Sequence, residues 1–169
     1  NLSFFVLNII LIFLMIRDLL KVITIKLNAT KLSRELKNNH SVLSCLDDIK
    51  NYNNKDWQKY KSSFTENYNK DKKYYKNIIF KNNDLELILI KWERNAETTI
   101  HNHPKNGCIL KLLEGKLKEE RFINNKLYNS NELSVDSVGY MHDSLGSHKI
   151  TALEDSYSLH LYSPPNYYD

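Results

Sequence analysis

The sequence predicts a mainly β fold, an antiparallel sandwich or barrel, which follows a helical N-terminal part. Residues 15–65 carry apolar side chains at helical spacing, whereas the chain after Tyr74 consists of short alternating or wholly apolar runs. Clusters of Asn, Asp, Gly and Pro separate those runs, and many short strands with frequent turns are typical of sandwiches and barrels. The 169 residues suffice for one domain with its own core.

The first 14 residues stand apart from this pattern. Residues 4–16 are almost wholly apolar but fall short of the about 20 residues that a membrane-spanning helix needs. No basic residue precedes them and no small-residue cleavage site follows, which argues against a signal peptide. We expect residues 1–14 to be an artefactual or disordered extension, and a packed helix and a membrane anchor are the alternatives, in that order.

The expected domain covers residues 15–169, with helices over 15–70 and the barrel over 74–169. Its helical part has apolar residues three or four positions apart, and Asp56 is a candidate cap for the last helix. Such a stripe is more typical of a packing face than of a cofactor site. The residues that form it are Leu19, Leu20, Ile23, Leu27, Leu32, Leu36, Val42, Leu43, Leu46, Ile49, Trp57, Tyr60 and Phe64.

The predicted strands of the second part are short and closely spaced. No internal repeat of 20–50 residues and no linker rich in Gly, Ser or Pro interrupts them, so we expect one domain. The clearest strand runs are Leu85–Trp92, Cys108–Leu113, Leu117–Arg121 and Tyr157–Leu161. Turn signals lie at residues 82–84, 104–107, 114–115, 124–125 and 129–131.

The charge and cysteine content limit the expected partners. The net charge is +4, but the lysines are scattered among asparagines over residues 50–81 and form no stripe interleaved with aromatic residues. We therefore expect a solvated surface and no nucleic-acid partner. Two cysteines do not make a disulfide framework, which favours a reducing compartment, here the cytoplasm. We expect a monomer without a membrane partner.

Three histidines suggest a metal site. His101 and His103 form a His-x-His pair, and on a strand residues i and i+2 point to the same face. His148 follows Leu145-Gly146-Ser147, where a later strand could return to that face. Three neutral imidazoles with open positions would suit a ferrous or a zinc ion. Two nearby histidines on a strand are more often simply hydrogen-bonded or exposed, and the third histidine raises the odds of a metal site.

Four further segments stand out: Thr98–His103, Cys108–Glu119, Asp143–His148 and Ser158–Pro165. The first two together resemble the first cupin motif of the cysteine dioxygenase (type I) family of the cupin superfamily. The third resembles the second motif of that family, and the last resembles its most distinctive signature. The resemblance covers roughly residues 40–168 and implies a cupin-type antiparallel β-barrel, or jelly roll, with N-terminal helices. Upstream residues that fit the same alignment are Asp56, Trp57, Tyr60, Tyr74, Asn77 and Trp92.

The resemblance implies an iron-dependent thiol dioxygenase that converts L-cysteine and O₂ to cysteine sulfinate. It assigns Cys108 and Tyr162 to a thioether crosslink, and it assigns catalytic roles to both of them and to Ser158 and His160, which orient Tyr162. Usual cupins have a carboxylate ligand where this family has the cysteine, so the ligand set is all nitrogen and neutral. Such a set leaves the ion its full charge and favours a thiolate. The implied Fe²⁺ ligands are His101, His103 and His148.

The sequence departs from the family at the substrate carboxylate. Tyr74, Lys76 and Tyr162 match substrate-binding positions, but cysteine-specific members carry an arginine where this chain has Lys76. Lysine can neutralise a carboxylate but cannot make the planar two-pronged contact. We expect weaker cysteine binding or another small thiol, such as 3-mercaptopropionate or cysteamine. Arg94 is a candidate substitute, although a solvated loop arginine is the more usual role.

Two other function classes stay open at this point. One is a non-catalytic cupin that binds a metal or a thiol as a sensor; the presence of both Cys108 and Tyr162 argues against it, because a binder needs no crosslinking pair. The other is a membrane-tethered protein that uses residues 4–16. Solubility of the full chain without detergent would count against the second class.

Overall fold

The computed structural model describes residues 10, 29–62, 64, 68–69 and 73–167. Its first helix, α1, is described over residues 29–39. A 3-10 turn, Val42–Cys45, leads into helix α2, Leu46–Asn51, and a second 3-10 segment covers Asp56–Ser62. Ser41 caps the first turn by accepting a hydrogen bond from the Leu43 amide.

The predicted N-terminal extension lies outside the described residues except for Ile10, which is helical and half-exposed. Within the described part of the chain, no helix combines the length and the apolar character that crossing a bilayer requires.

Nine strands form two antiparallel sheets among the described residues. The larger sheet has the order β1-β2-β3-β9-β4-β7, and the smaller has the order β6-β5-β8. The mainly β architecture and the helices before it are therefore as predicted. The strands are β1 Tyr68–Asn69, β2 Tyr74–Lys81, β3 Glu86–Trp92, β4 Cys108–Glu114, β5 Leu117–Ile123, β6 Lys126–Leu133, β7 Val138–Met141, β8 Ser147–Ala152 and β9 Ser156–Tyr162.

Two local predictions need correction. Strand β1 lies inside the range predicted to be helical, 15–70, because its two residues pair with Tyr74 and Tyr75 although the sequence around them has no apolar periodicity. Residues 129–131, predicted to be a turn, lie within β6 and pair with β5. Strand β6 is an edge strand exposed along most of its length, so its asparagines meet water and resemble a turn.

Strands β3 and β9 are buried on both faces. Leu87 and Leu89 pack against α1, α2 and the 3-10 segments, whereas Ile88 and Ile90 face the interior between the two sheets. This explains why β3 is a nearly continuous apolar run and not an alternating one. The register places Tyr162, His160 and Ser158 opposite Glu86, Ile88 and Ile90. These polar residues of β9 therefore share the interior face.

The segment between β3 and β4, residues 93–107, runs beside β8 of the smaller sheet. Isolated bridges join Glu97 to Thr151 and His101 to His148. The Thr98 amide also donates to the Ile150 carbonyl, 3.0 Å away. The segment thus closes one side of the interior and brings its own polar residues to the face of β8.

Candidate functional site

Three histidine side chains converge at the interior end of this bridged segment. The Nε2 atoms of His103 and His148 are 3.0 Å apart, and those of His148 and His101 are 3.2 Å apart. One ring nitrogen from each residue lies within 4.8 Å of the others. His103 and His148 are buried and His101 is partly exposed, so the group opens on one side.

The His-x-His spacing predicted that a strand would bring His101 and His103 to one face, but their convergence does not arise from a strand. His101 makes a single bridge with His148, and residues 102–104 have no regular secondary structure. The bridge is a reciprocal pair of backbone hydrogen bonds of 3.0 and 3.1 Å. The His103 amide donates to Asp143 Oδ1 at 2.8 Å, which anchors the backbone beside the buried His103 ring.

Hydrogen-bond partners assign the tautomers of two of the rings. His148 Nδ1 lies 2.7 Å from Glu119 Oε1, and His101 Nδ1 lies 3.0 Å from the Thr99 carbonyl oxygen. Both oxygens accept only, so in the neutral rings Nδ1 carries the hydrogen and Nε2 carries a lone pair. These two Nε2 lone pairs face each other with no hydrogen to share. A divalent cation between them would fit this donor set.

His103 completes the set as a neutral ring. Burial first, and then the neighbouring histidines, lower its pKa to about 2. Its Nδ1 has no hydrogen-bond partner among the described residues. Neutral imidazole is the form that binds metals, and three imidazoles suit iron, zinc or copper. The residues present therefore fit the metal that the sequence suggests.

Cys108 and Tyr162 lie directly opposite each other in the register of β4 and β9. Both are buried, with 4% and 8% of their surface exposed. Cβ atoms of facing residues on antiparallel strands are about 4.5–5.5 Å apart. The structure thus brings together the two residues that the sequence analysis assigned to a crosslink.

A chain of hydrogen bonds runs along the interior face to Tyr162. Trp92 Nε1 donates to Ser158 Oγ at 2.8 Å, Ser158 Oγ lies 2.8 Å from His160 Nε2, and His160 Nδ1 lies 3.2 Å from the Tyr162 hydroxyl. Because the indole can only donate, Ser158 Oγ accepts from it and in turn donates its own hydrogen to His160 Nε2. The hydrogen of the His160 ring is then on Nδ1. The Tyr162 hydroxyl then accepts from His160, and its own hydrogen is directed away from that ring. Burial lowers the pKa of His160 well below its ordinary value, as does the charge of Lys76, which keeps the ring neutral.

A small cleft connects the histidine group with Tyr162 and with the substrate-binding positions expected from the sequence. It has about 290 Å³ of space, part of which is open solvent. Lys76 is its one Lys or Arg side chain, and its lining includes no Asp or Glu among the described residues. Arg94, the other candidate for a carboxylate partner, is exposed in the turn after β3 and is not part of the lining. The lining consists of Tyr74, Lys76, Ile90, Trp92, Thr98, His101, His148, Ile150, His160 and Tyr162.

Sequence reasoning missed the residues that hold the histidines in place. Glu119 and Arg121 lie on the inward face of β5 behind His148, and Asp143 holds the His103 backbone. A signal was present, because a glutamate at an inward strand position is rarely buried without a specific partner. The strand predicted around Glu119 does not by itself indicate which of its faces is buried.

Comparison with known families gives one match over most of the chain. The family model "Cysteine dioxygenase type I" matches residues 23–168. That interval contains all the histidines of the candidate metal group and both residues of the Cys108–Tyr162 pair.

Curated relatives are similar over a shorter part. Human cysteine dioxygenase type 1 is 33% identical over 55% of this chain and 52% of its own length. The rat protein of the same name is 34% identical with the same coverage, and so is the zebrafish one. The chain spans about half the length of the curated relatives it matches.

Solved structures resemble the fold. A protein from Bacillus halodurans is 16% identical and aligns with a TM-score of 0.50 over 59% of this chain and 76% of its own. A cupin-2 domain protein from Shewanella frigidimarina is 18% identical, with a TM-score of 0.48 over 69% of this chain and 97% of its own. The chain has the predicted fold, a cupin-type antiparallel β-barrel with N-terminal helices.

Proposed function

Since the chain belongs to the cysteine dioxygenase type I family, we propose that it is an iron-dependent thiol dioxygenase that converts L-cysteine and O₂ to cysteine sulfinate. The observation that carries the proposal is the convergence of three imidazole nitrogens, within 4.8 Å of one another, beside a cleft lined by Tyr162 and Lys76. Family membership alone would not distinguish an active member from one that has lost its site.

His101, His103 and His148 are the residues that would hold Fe²⁺. When bound, the ion would supply the place where a thiolate and O₂ react, with both oxygen atoms going to sulfur. The protein's part is to keep its donors neutral and aimed inward. The Thr99 carbonyl and the Glu119 carboxylate fix the ring orientation of His101 and His148, and burial keeps His103 neutral.

Lys76 would bind the substrate carboxylate. It lies on β2 at the cleft, and its ammonium is 5.9 Å from the centre of the Tyr74 ring. A cation in a small, partly dehydrated cleft attracts a carboxylate and repels an ammonium group. We therefore place carboxylated thiols, cysteine and 3-mercaptopropionate, ahead of cysteamine. A lysine makes a point-charge contact and not a two-pronged one, so we expect weaker carboxylate binding than an arginine would give and keep 3-mercaptopropionate as the alternative substrate.

The Tyr162 hydroxyl would donate a hydrogen bond to an anionic oxygen in the cleft. The hydrogen bonds through Trp92, Ser158 and His160 leave its hydrogen directed away from His160. Burial keeps the pKa of His160 well below its ordinary value, so the ring does not take up a second proton at neutral pH and the direction of the hydrogen bond stays fixed. Ser158 and His160 thus set the orientation of Tyr162.

We also propose a thioether between Cys108 and Tyr162. The bond would form between Sγ and a carbon of the tyrosine ring, and each partner would lose one hydrogen. The pair is thereby oxidised by two electrons, which O₂ accepts. The register neighbours Cys108 and Tyr162 are already facing, so the step requires no change of strand pairing.

The two free cysteines support a reducing compartment. No disulfide joins Cys45 and Cys108, and Cys45 lies in the helical layer, far along the fold from the cleft. This arrangement agrees with a reducing environment, and we propose a cytoplasmic monomer.

The test loads purified protein with Fe²⁺ without oxygen, adds L-cysteine and O₂, and detects cysteine sulfinate by mass spectrometry. Bound iron with sulfinate formation, both lost in His103→Ala, supports the proposal. The matched control is His40→Asn, because His40 is exposed, has a φ of 49° that asparagine accepts, and does not line the cleft.

Two other outcomes redirect the proposal. Iron uptake without cysteine sulfinate would overturn cysteine as the substrate and make 3-mercaptopropionate, then cysteamine, the next candidates. No affinity for iron would overturn the enzyme and leave a non-catalytic cupin that binds a small molecule.

A further inference from the structure

A buried carboxylate lies directly behind the histidine group. Glu119 is 3% exposed, on the interior face of β5, and its Oε1 is 2.7 Å from His148 Nδ1. Its Oε2 accepts a 2.9 Å hydrogen bond from Arg121 Nε. The group is therefore a carboxylate buried inside the fold with a hydrogen-bond partner on each of its two oxygens.

The strand register explains how the two charged residues reach His148. Strand β5 pairs with β8 so that Arg121 is opposite His148 and Glu119 is opposite Ile150. Residues i and i+2 of a strand share a face, so both side chains point inward with His148. Arg121 Nη2 also donates to the Tyr140 carbonyl of β7 at 3.2 Å, which ties it to the larger sheet.

We propose that Glu119 is a positioning residue for the metal group: its carboxylate fixes the ring orientation and tautomer of His148, and Arg121 fixes the carboxylate. The inference rests on the metal site of the proposed function. A carboxylate that accepts from Nδ1–H holds the Nε2 lone pair toward the site and increases its donor strength.

His148 differs in this respect from the other two histidines. His101 has a neutral backbone oxygen behind it, and His103 Nδ1 has no hydrogen-bond partner among the described residues. His148 alone is held by a charged acceptor, so it is the ligand whose orientation is most firmly set. It also comes from a regular strand, whereas the other two come from an irregular segment.

Arg121 gives the arrangement a second property. A carboxylate so close to the site would offset part of the charge of a bound cation. The guanidinium beside Glu119 balances that negative charge, since its Nη2 is 2.9 Å from Oε2. The site therefore gains a fixed ligand without losing the positive charge that favours binding a thiolate.

The test compares Glu119→Ala and Glu119→Gln with Glu120→Gln. Glu120 is the next residue on β5, faces the other way and pairs with Lys118 at 3.1 Å, so it is a matched control. Fe²⁺ affinity is measured anaerobically by competition with a chelator. We expect Glu119→Ala to weaken binding about 10- to 100-fold. Glu119→Gln should lose less, because its amide oxygen can still accept from His148, and Glu120→Gln should match the wild type.

A second measurement separates positioning from general stability. The ¹⁵N chemical shifts of the His148 ring in metal-free protein report which nitrogen carries the hydrogen. We expect Nδ1–H in the wild type, largely Nδ1–H in Glu119→Gln, and a mixture of tautomers in Glu119→Ala. The unfolding temperature of each variant is recorded beside it. If Glu119→Ala does not fold, the Fe²⁺ affinity and the His148 tautomer of Glu119→Gln are compared with those of the wild type instead.

Equal Fe²⁺ affinity in folded Glu119 variants would overturn the role of Glu119 and leave the metal site intact. An unchanged His148 tautomer with a lowered unfolding temperature would overturn it too, in favour of a purely structural ion pair. A wild type without Fe²⁺ affinity would overturn the proposed function itself, and the metal-ligand role of Glu119 with it.

Discussion

Cys108 and Tyr162 are cross-strand neighbours on β4 and β9, and both side chains lie in the buried interior between the sheets. The same face of β9 carries His160 and Ser158, which are hydrogen-bonded in series with Tyr162. The phenol ring is thus held from two directions, by a facing cysteine and by a neighbouring histidine. Each of these relationships leads to an expected result.

We expect the Cys108–Tyr162 pair to form a thioether during turnover. Protein loaded with Fe²⁺ and given cysteine and O₂ should lose the mass of both bonding hydrogens in intact mass spectrometry. Cys108→Ser and Tyr162→Phe should show no such loss. Cys45→Ser is the control, since Cys45 packs in the helical layer, and it should behave as the wild type. A loss of the same mass in Cys108→Ser would rule out this crosslink.

Lys76→Met should reduce kcat/KM for carboxylated thiols, mainly through KM. A hydrogen bond to a charged group contributes about 1.5–3 kcal/mol, which corresponds to about 10- to 150-fold. Cysteamine turnover should stay level or rise, because a repulsive ammonium is removed. Lys91→Met is the matched control: Lys91 lies on the neighbouring strand with its ammonium 5.2 Å from the Tyr75 ring centre and does not line the cleft. An equal effect on cysteine and cysteamine would contradict the carboxylate role.

Ser158→Ala should destabilise the fold and disorder Tyr162. The Trp92 indole N–H would lose its acceptor, and His160 Nε2 would lose its donor, both in a buried position. An unsatisfied buried polar group costs about 1–3 kcal/mol, measured here by urea unfolding. Ser134→Ala, in an exposed turn, should change the free energy of unfolding by less than about 0.5 kcal/mol. Similar values for the two variants would mean that the hydrogen-bond series contributes little.

The metal-free protein should lose stability in mild acid because of His160. The folded-state pKa of His160 is lowered by burial, so the unfolded chain binds a proton that the folded chain excludes. Stability is then complete above the unfolded pKa of about 6.5 and falls as the pH drops below it. Between about pH 7.5 and pH 5.5 one such group costs about 1.4 kcal/mol.

The measurement for this effect is urea unfolding at both pH values. His160→Gln, which cannot take up a proton, should reduce the pH-dependent loss by that amount. His103 has the same sign of shift, so part of the loss should remain in the variant. An undiminished loss in His160→Gln would assign the acid sensitivity to other groups.

The fold could be predicted from the sequence to the extent that local pattern determines it. The apolar runs of β3, β4 and β9 and the turn at Asn124-Asn125 are visible because burial and turn geometry leave their mark on neighbouring residues. Strand β6 resembles a turn in part because Asn and Ser favour turns, whereas an exposed edge strand only tolerates them. The pairing of Tyr68–Asn69 depends on β2 alone and leaves no local mark.

The site shows the same division. His101, His103 and His148 were identified from spacing and resemblance, but their convergence depends on a bridge and on Asp143, which are contacts far apart in the sequence. Glu119 was passed over because its importance comes from His148, 29 positions away. Spacing along the chain indicates which groups are present, and only the packing indicates which group holds another.

The metal group also joins two parts of the barrel. His148 belongs to the smaller sheet, whereas His101 and His103 lie in the segment that connects two strands of the larger one. An ion held by all three histidines would bind the folded chain and not the unfolded chain, so its binding free energy would add to the free energy of unfolding. Heat resistance and survival among proteases would then rise with iron supply. Metal-free chains would unfold more readily and would be the first to be cleaved by proteases.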